Sequence, residues 1–142
     1  MVPSLLSVTD LPRNPISITG RRRAAVAAGG AIGAILRGVV GEIVVMGGFD
    51  PLWATILVNV TGSLLLGLLI AWHTGQSRSS PLVIPFAGVG ILGAFTTFSL
   101  FSVEVFELFR TGDLWLAVMY PIGMIGLGFV AALVGIRVGG SR

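Results

Sequence analysis

Four apolar runs, each long enough to cross the hydrocarbon core of a bilayer, take up most of the chain beyond residue 20. A membrane span needs ~20 residues, and up to ~25 when tilted. Such runs leave few folds open, because in lipid every backbone N–H and C=O must be satisfied within the protein. They read as helices at about 24–46, 52–73, 81–109 and 114–136, which makes the chain an all-α integral membrane protein. Composition supports this: 54% of residues are hydrophobic and 11% charged, against roughly 25% charged in a soluble domain. No stretch reads as a second, soluble domain. The 21 glycines suit helices that pack closely in lipid, where small residues let backbones approach.

Ahead of the spans, residues 1–20 hold Pro3, Pro12 and Pro15 among Ser, Thr and Asn, and read as a flexible N-terminal tail. Residues 21–142 form the membrane domain. Arg21-Arg22-Arg23 could open a secretion signal, but the apolar run behind it continues past a signal's usual length. The links between spans are short: Gly47 to Pro51, Thr74 to Ser80, and Arg110 to Asp113. Short links imply antiparallel neighbours.

The third span is too long and too interrupted for one plain helix. It carries Gly93-Ala94-Phe95-Thr96-Thr97-Phe98-Ser99-Leu100-Phe101, a cluster of small, hydroxyl and aromatic residues at membrane depth. Polar groups and helix breaks persist there where they line a cavity, bind an ion or pack inside protein. The span therefore reads as two half-helices meeting near Gly93–Thr97, and as the seat of function.

All nine basic residues are arginine, and the net charge is +3. The arginines lie mostly at segment ends, as topology signals do, which argues against a nucleic-acid partner. Four spans put both termini on one side. That side holds Arg13, Arg21, Arg22, Arg23, Arg78, Arg137 and Arg142, and the other holds only Arg110 with Glu42, Asp50 and Asp113. The positive-inside rule places both termini in the cytoplasm of a multi-pass protein of the cell membrane. With no cysteine and one histidine, thiol chemistry is excluded and a transition-metal site has no ligand set. No nucleophile–base pair is visible, so an enzyme is not expected.

Several side chains could carry chemistry. On the second span Thr55, Asn59, Ser63 and Gly67 recur every four residues and stack along one helix face. Ser63 and Gly67 fit interhelical packing; Asn59 reads as functional, because an amide in lipid is costly unless it faces partners or water. On the third span Phe98, Phe101 and Glu104 follow at i, i+3 spacing beside Thr96, Thr97 and Ser99. An aromatic ring has a positive edge, and edges turned into a narrow path could stabilise an anion without trapping it. A helix break frees carbonyls that a small hard cation, neighbouring side chains or water could satisfy. Arg37, inside the first span, needs a partner if buried and could draw anions toward an entrance. Tyr120 brings a hydroxyl near the membrane boundary, either as a site residue or as a belt aromatic. Gly88-Val89-Gly90-Ile91-Leu92-Gly93 matches G-x-G-x-x-G, but a dinucleotide site needs a preceding strand, and these surroundings are transmembrane.

Taken together, these residues resemble the Fluc-type (CrcB-like) family of fluoride channels. The first span reads Gly29-Gly30-Ala31-Ile32-Gly33-Ala34-Ile35-Leu36-Arg37, similar to G-G-x-x-G-A-x-x-R. The second reads Thr55-Ile56-Leu57-Val58-Asn59-Val60-Thr61-Gly62-Ser63, similar to T-x-x-x-N-x-x-G-S, and the third, from Gly93 to Phe101, is similar to G-x-x-T-T-F-S-T-F. The likeness covers roughly residues 25–136. It implies four spans with the third broken, an antiparallel dimer of the dual-topology type, and passive export of fluoride that relieves its toxicity. By motif, Asn59 is then a pore donor with Thr55 nearby, and Phe98 and Phe101 are the pore phenylalanines with Ser99 beside them. Arg37 lies near an entrance, and Glu104 and Tyr120 match pore-side positions. The carbonyls of Gly93 and Thr96 are implied to hold a structural Na⁺.

Two features set this chain apart. Leu100 stands where the family commonly has Thr, and Ile122 to Gly135 carries no Ser or Thr where members can carry a polar track. An antiparallel homodimer also needs one sequence to insert both ways, yet the arginines here are seven to one. The expected partner is therefore either a second copy or, favoured by that bias, a homologous chain of opposite orientation. The competing readings are a non-conducting subunit that completes a partner's pores and a small four-span exporter. Such exporters commonly carry an acid within the first span, whereas Glu42 falls near that span's end.

Overall fold

The computed structural model describes residues 20–76 and 80–140. The expected tail lies, apart from Gly20, outside the described residues, as do Arg13, Arg78 and Arg142. Every regular element described is helical: α1 (Gly20–Met46), α2 (Leu52–Thr74), a π-helical stretch (Ile84–Leu92) running into the short α3 (Gly93–Phe95), α4 (Ser99–Thr111) and α5 (Leu114–Gly140). Counting Ile84–Thr111 as one interrupted helix, four helices are long and apolar enough to cross a membrane. The third is broken, at Thr96–Phe98, toward the C-terminal edge of the predicted Gly93–Thr97.

Local chemistry explains the ends. Gly48 has φ 77° in the turn after α1, and Gly112 closes α4 at φ 85°, a left-handed conformation that glycine adopts without strain. Asp50 Oδ1 accepts the Leu52 amide at 2.9 Å, and Asp113 Oδ1 accepts the Leu116 amide at 3.2 Å. Both aspartates thus satisfy orphan N–H groups at helix starts.

Packing does not follow chain order. Short links predicted that successive helices pair, but α2 packs mainly on α5, and α1 mainly on the π-helical stretch. Small-residue seams decide this. A Cβ at Gly29 would strike the Phe86 carbonyl oxygen, and one at Gly33 the Ile91 carbonyl oxygen. On the other seam, Gly67 lies against the Ala132 carbonyl and Gly135 against the Leu64 carbonyl. Lipid is as apolar as leucine, so helices associate through such close contacts rather than through hydrophobic burial. Large apolar side chains such as Ile35, Ile43, Phe106 and Phe129 accordingly remain exposed.

The π-helical stretch is a finding the sequence did not announce. It begins after Pro81 with Pro85 in its first turn. Gly88 and Gly90 fall within it, and α1 passes so close that Cβ atoms at Gly29 or Gly90 would meet backbone. The G-x-G-x-x-G match is thus helical, and no strand precedes it among the described residues.

Candidate functional site

The break in the third span is held by one side chain of α2. Asn59 Nδ2 donates to the Thr97 carbonyl at 3.0 Å, and the Thr97 amide donates to Asn59 Oδ1 at 2.8 Å. The amide therefore replaces, on both edges, the partners that Thr97 loses where the helix stops. Gly62, one turn further along α2, makes room: a Cβ there would collide with the Thr96 methyl group.

The pinning has a consequence for neighbouring carbonyls. In an unbroken helix the Thr97 amide would return to Gly93 and the Leu100 amide to Thr96. Here the Leu100 amide donates to Thr97 Oγ1 at 3.2 Å instead, starting α4 with a threonine cap. The carbonyls of Gly93 and Thr96 are both released from their helical partners. Arg37 Nη1 donates to the Thr96 carbonyl at 3.4 Å, while the Thr96 hydroxyl turns back to Leu92 O at 2.9 Å. A side chain at Gly93 would meet nothing nearer than the Gly88 carbonyl oxygen at 3.7 Å, so its surroundings are open.

The break faces an open groove of about 550 Å³, lined among others by Asn59, Gly93, Thr96, Phe98 and Phe101. Ser63 also lines it, but the Ser63 hydroxyl donates to its own helix at Asn59 O, 2.8 Å away. The opposing α5 wall is Met124, Ile125, Gly128 and Phe129, without a hydroxyl. Phe98 and Phe101 are unlike. Their rings lie 5.7 Å apart at 47°, yet Phe98 is 78% exposed and Phe101 9%. The i, i+3 spacing predicted a shared face, and both rings do line the groove. Phe98 keeps helical backbone angles and its carbonyl accepts the Ser102 amide at 2.9 Å, but at the N-cap it has no preceding turn of α4 to cover it.

A second cluster sits beyond Phe101. The Thr55 hydroxyl donates to Glu104 Oε1 at 2.6 Å and the Tyr120 hydroxyl to Glu104 Oε2 at 2.5 Å. Both carboxyl oxygens thus accept, and O–H···O contacts this short lie at the strong end of the range. Thr55 is fully buried, and the Phe101 and Tyr120 rings lie 5.4 Å apart at 49°. Phe101 and Tyr120 also join Met124 in the apolar core. The two clusters meet through Phe101.

Each residue singled out in the sequence thus has a place. Asn59, Gly93, Thr96, Phe98 and Phe101 share the groove, while Thr55, Glu104 and Tyr120 form the hydroxyl–carboxylate cluster. Ser99 is exposed, with its hydroxyl 3.3 Å from that of Thr97. Arg37 reaches the break without lining the groove. Sequence reasoning set Thr97 in the polar cluster without giving it a role, yet it is 7% exposed and makes four of the contacts that shape the break. The paired threonines gave no sign of which would turn inward. Met124 was also missed, because a methionine among apolar residues carries no signal of its own.

Among the described residues no three His, Asp or Glu side chains converge. A cation held here would therefore rest on backbone oxygens, which suit hard ions. The released Gly93 and Thr96 carbonyls fit that chemistry, with Arg37 Nη1 already directed at the Thr96 oxygen. Two oxygens fall short of the about six such ions take, so the remainder would come from a second subunit or water.

The family described as "CrcB-like protein, Camphor Resistance (CrcB)" matches residues 24–136. Three similar relatives all carry the name "Fluoride-specific ion channel FluC". The one from Novosphingobium aromaticivorans is 39% identical over 118 residues, covering 80% of this chain and 91% of the relative. That from Roseobacter denitrificans is 40% identical over 118 residues, covering 80% and 90%. That from Thermus thermophilus is 39% identical over 118 residues, covering 82% and 93%.

Proposed function

The chain belongs to the CrcB-like family, and from that membership we propose that it is a subunit of a fluoride-selective channel. It is a multi-pass membrane protein and, as a channel subunit, not an enzyme. The observation that carries the reading is the likeness over the whole membrane portion to relatives named fluoride-specific channels, with a pinned break and an aromatic groove at its centre. Fluoride leaves the cytoplasm passively through this protein, and its toxicity falls.

The chemistry suits that task. Fluoride is small and strongly hydrated, so losing its shell requires closely spaced donors. Asn59 keeps one Nδ2 hydrogen beyond the bond to Thr97. Phe98 and Phe101 both line that groove, and the positive edge of an aromatic ring offers an anion a weak attraction that lets the ion go. Thr55 and Tyr120 extend the path, and Glu104 holds both hydroxyl hydrogens. Arg37 adds positive charge beside the break, and Ser99 a hydroxyl beside Phe98. The structural Na⁺ would rest on the Gly93 and Thr96 carbonyls, supplying charge that fixes the break and taking no part in transport. The inside-negative potential favours exit of the anion.

The subunits pair antiparallel. The seven-to-one arginine distribution favours a homologous partner chain of opposite orientation over a second copy. One observation keeps a second reading in play: the α5 wall of the groove has no hydroxyl, which fits a chain that completes a partner's pores without conducting through this wall. Deleting the chain from its host in acid medium tests the main reading. Cells are expected to accumulate fluoride and stop growing, with rescue by wild type but not by Asn59→Asp. Unchanged intracellular fluoride in the deletion strain contradicts it.

A further inference from the structure

We propose that Arg37 competes with a bound alkali cation for the Thr96 carbonyl, and so sets how tightly the helix break holds that ion. The proposal rests on the carbonyl cation site put forward above. Arg37 stands seventeen residues after Gly20 and nine before Met46 in α1. At 1.5 Å per residue this is ~25 Å from one end of the helix and ~14 Å from the other, well inside the bilayer. A guanidinium is always charged, and a charge at that depth requires a partner.

Among the described residues no carboxylate serves. The ion pair among the described residues is Arg110 with Glu107, at the far end of α4. The acidic cluster residue Glu104 is engaged by Thr55 and Tyr120. What the structure gives Arg37 is the Thr96 carbonyl at 3.4 Å, the oxygen released when the Leu100 amide turns to Thr97 Oγ1. The guanidinium therefore stands where a cation on the same oxygen would be felt.

The two cannot share it cheaply. A hard cation sits ~2.4 Å from a carbonyl oxygen. With Nη1 at 3.4 Å from the same atom, two positive charges would lie no more than about 6 Å apart. Their repulsion is strong where the dielectric is low. Arg37 has a flexible stem and can swing away, but only by giving up its partner at membrane depth. Each occupant thus weakens the other, and removing the guanidinium should tighten cation binding by about tenfold or more.

The test is thermal unfolding of the purified full-length protein in detergent, with Na⁺ titrated against choline at constant ionic strength. Wild type, Arg37→Gln and Arg37→Lys are compared. The expected result is a half-saturating Na⁺ concentration about tenfold or more lower in Arg37→Gln, with a smaller shift the same way in Arg37→Lys, whose shorter donor set holds the carbonyl less well. Arg37→Lys keeps the charge, so it guards against a neutral variant that fails to fold. An unchanged or higher half-saturating concentration in whichever variant folds overturns the proposal while leaving the cation site standing. No protection by Na⁺ in any of the three proteins removes the cation site itself, and the proposal with it.

Discussion

Asn59 meets the backbone of Thr97 with both edges of its amide, and no other common side chain of that length offers a donor and an acceptor in one plane. Asn59→Asp keeps the acceptor and loses the donor, setting a carboxylate oxygen against the Thr97 carbonyl. The expected cost is about 1–3 kcal/mol or more for a buried group left unsatisfied, read as a lowered unfolding temperature, with fluoride flux falling to background. Unchanged stability and flux would mean that the break is held by something else. Glu104 makes a second case. Glu104→Gln puts an amide N–H₂ against one of two hydroxyls that now donate to it, so that donor faces donor at a cost of about 1–3 kcal/mol. Thr55→Val in the Glu104→Gln background should then cost less than Thr55→Val alone, a coupling that a double-mutant cycle measures. At this scale the sequence was informative where a residue is chemically out of place: an amide, a carboxylate or an arginine in an apolar run. It was silent between Thr96 and Thr97, because two adjacent identical side chains differ only in where the backbone turns. It also gave Asn59 as a donor to an ion and did not reveal the clamp on the backbone.

Helix pairing is decided by glycines that touch backbone. Gly29→Ala or Gly33→Ala would drive a methyl group into a carbonyl of the π-helical stretch, and a carbonyl in a packed helix cannot step aside as a side-chain tip can. Overpacking of this kind costs ~1–3 kcal/mol or more. Gly30→Ala and Gly38→Ala, with nothing within 4 Å of the added carbon, should be neutral or slightly stabilising, since alanine favours helix by up to about 1 kcal/mol. Unfolding temperatures of the four variants decide it, and equal losses at all four sites would refute the seam. The four helices and the broken third were legible from run length, glycine content and the polar cluster. Which helices pair was not, since short links point to chain neighbours and only three-dimensional contact shows Gly67 and Gly135 locking α2 to α5. The spacing of Thr55, Asn59, Ser63 and Gly67 was misleading in the same way. Four residues advance a helix by about 40° beyond a full turn, so the stripe winds and its members serve different neighbours.

Across the whole molecule, charge is one-sided. Arginines gather at the start of α1 and near the end of α5, which four antiparallel spans would bring to one face, and Asp50 and Asp113 lie in the turns at the other ends of those spans. Terminal reporters on the chain in cells should therefore find both termini in the cytoplasm and one orientation only. Recovery of both orientations in comparable amounts would contradict the partner-chain reading and favour a homodimer. The charge bias behind that expectation is plain in the sequence; the identity of the partner is not, because an interface between copies or homologues leaves no periodic mark on one chain. The central claim is selective conduction, and it is tested most directly by fluoride efflux from liposomes. The protein is purified from its native membrane with whatever chain accompanies it, and chloride is the control ion. The account predicts rapid loss of fluoride, retention of chloride, and no fluoride loss with Asn59→Asp or Phe98→Ile. Equal release of both anions, or no fluoride release from folded protein, would contradict it.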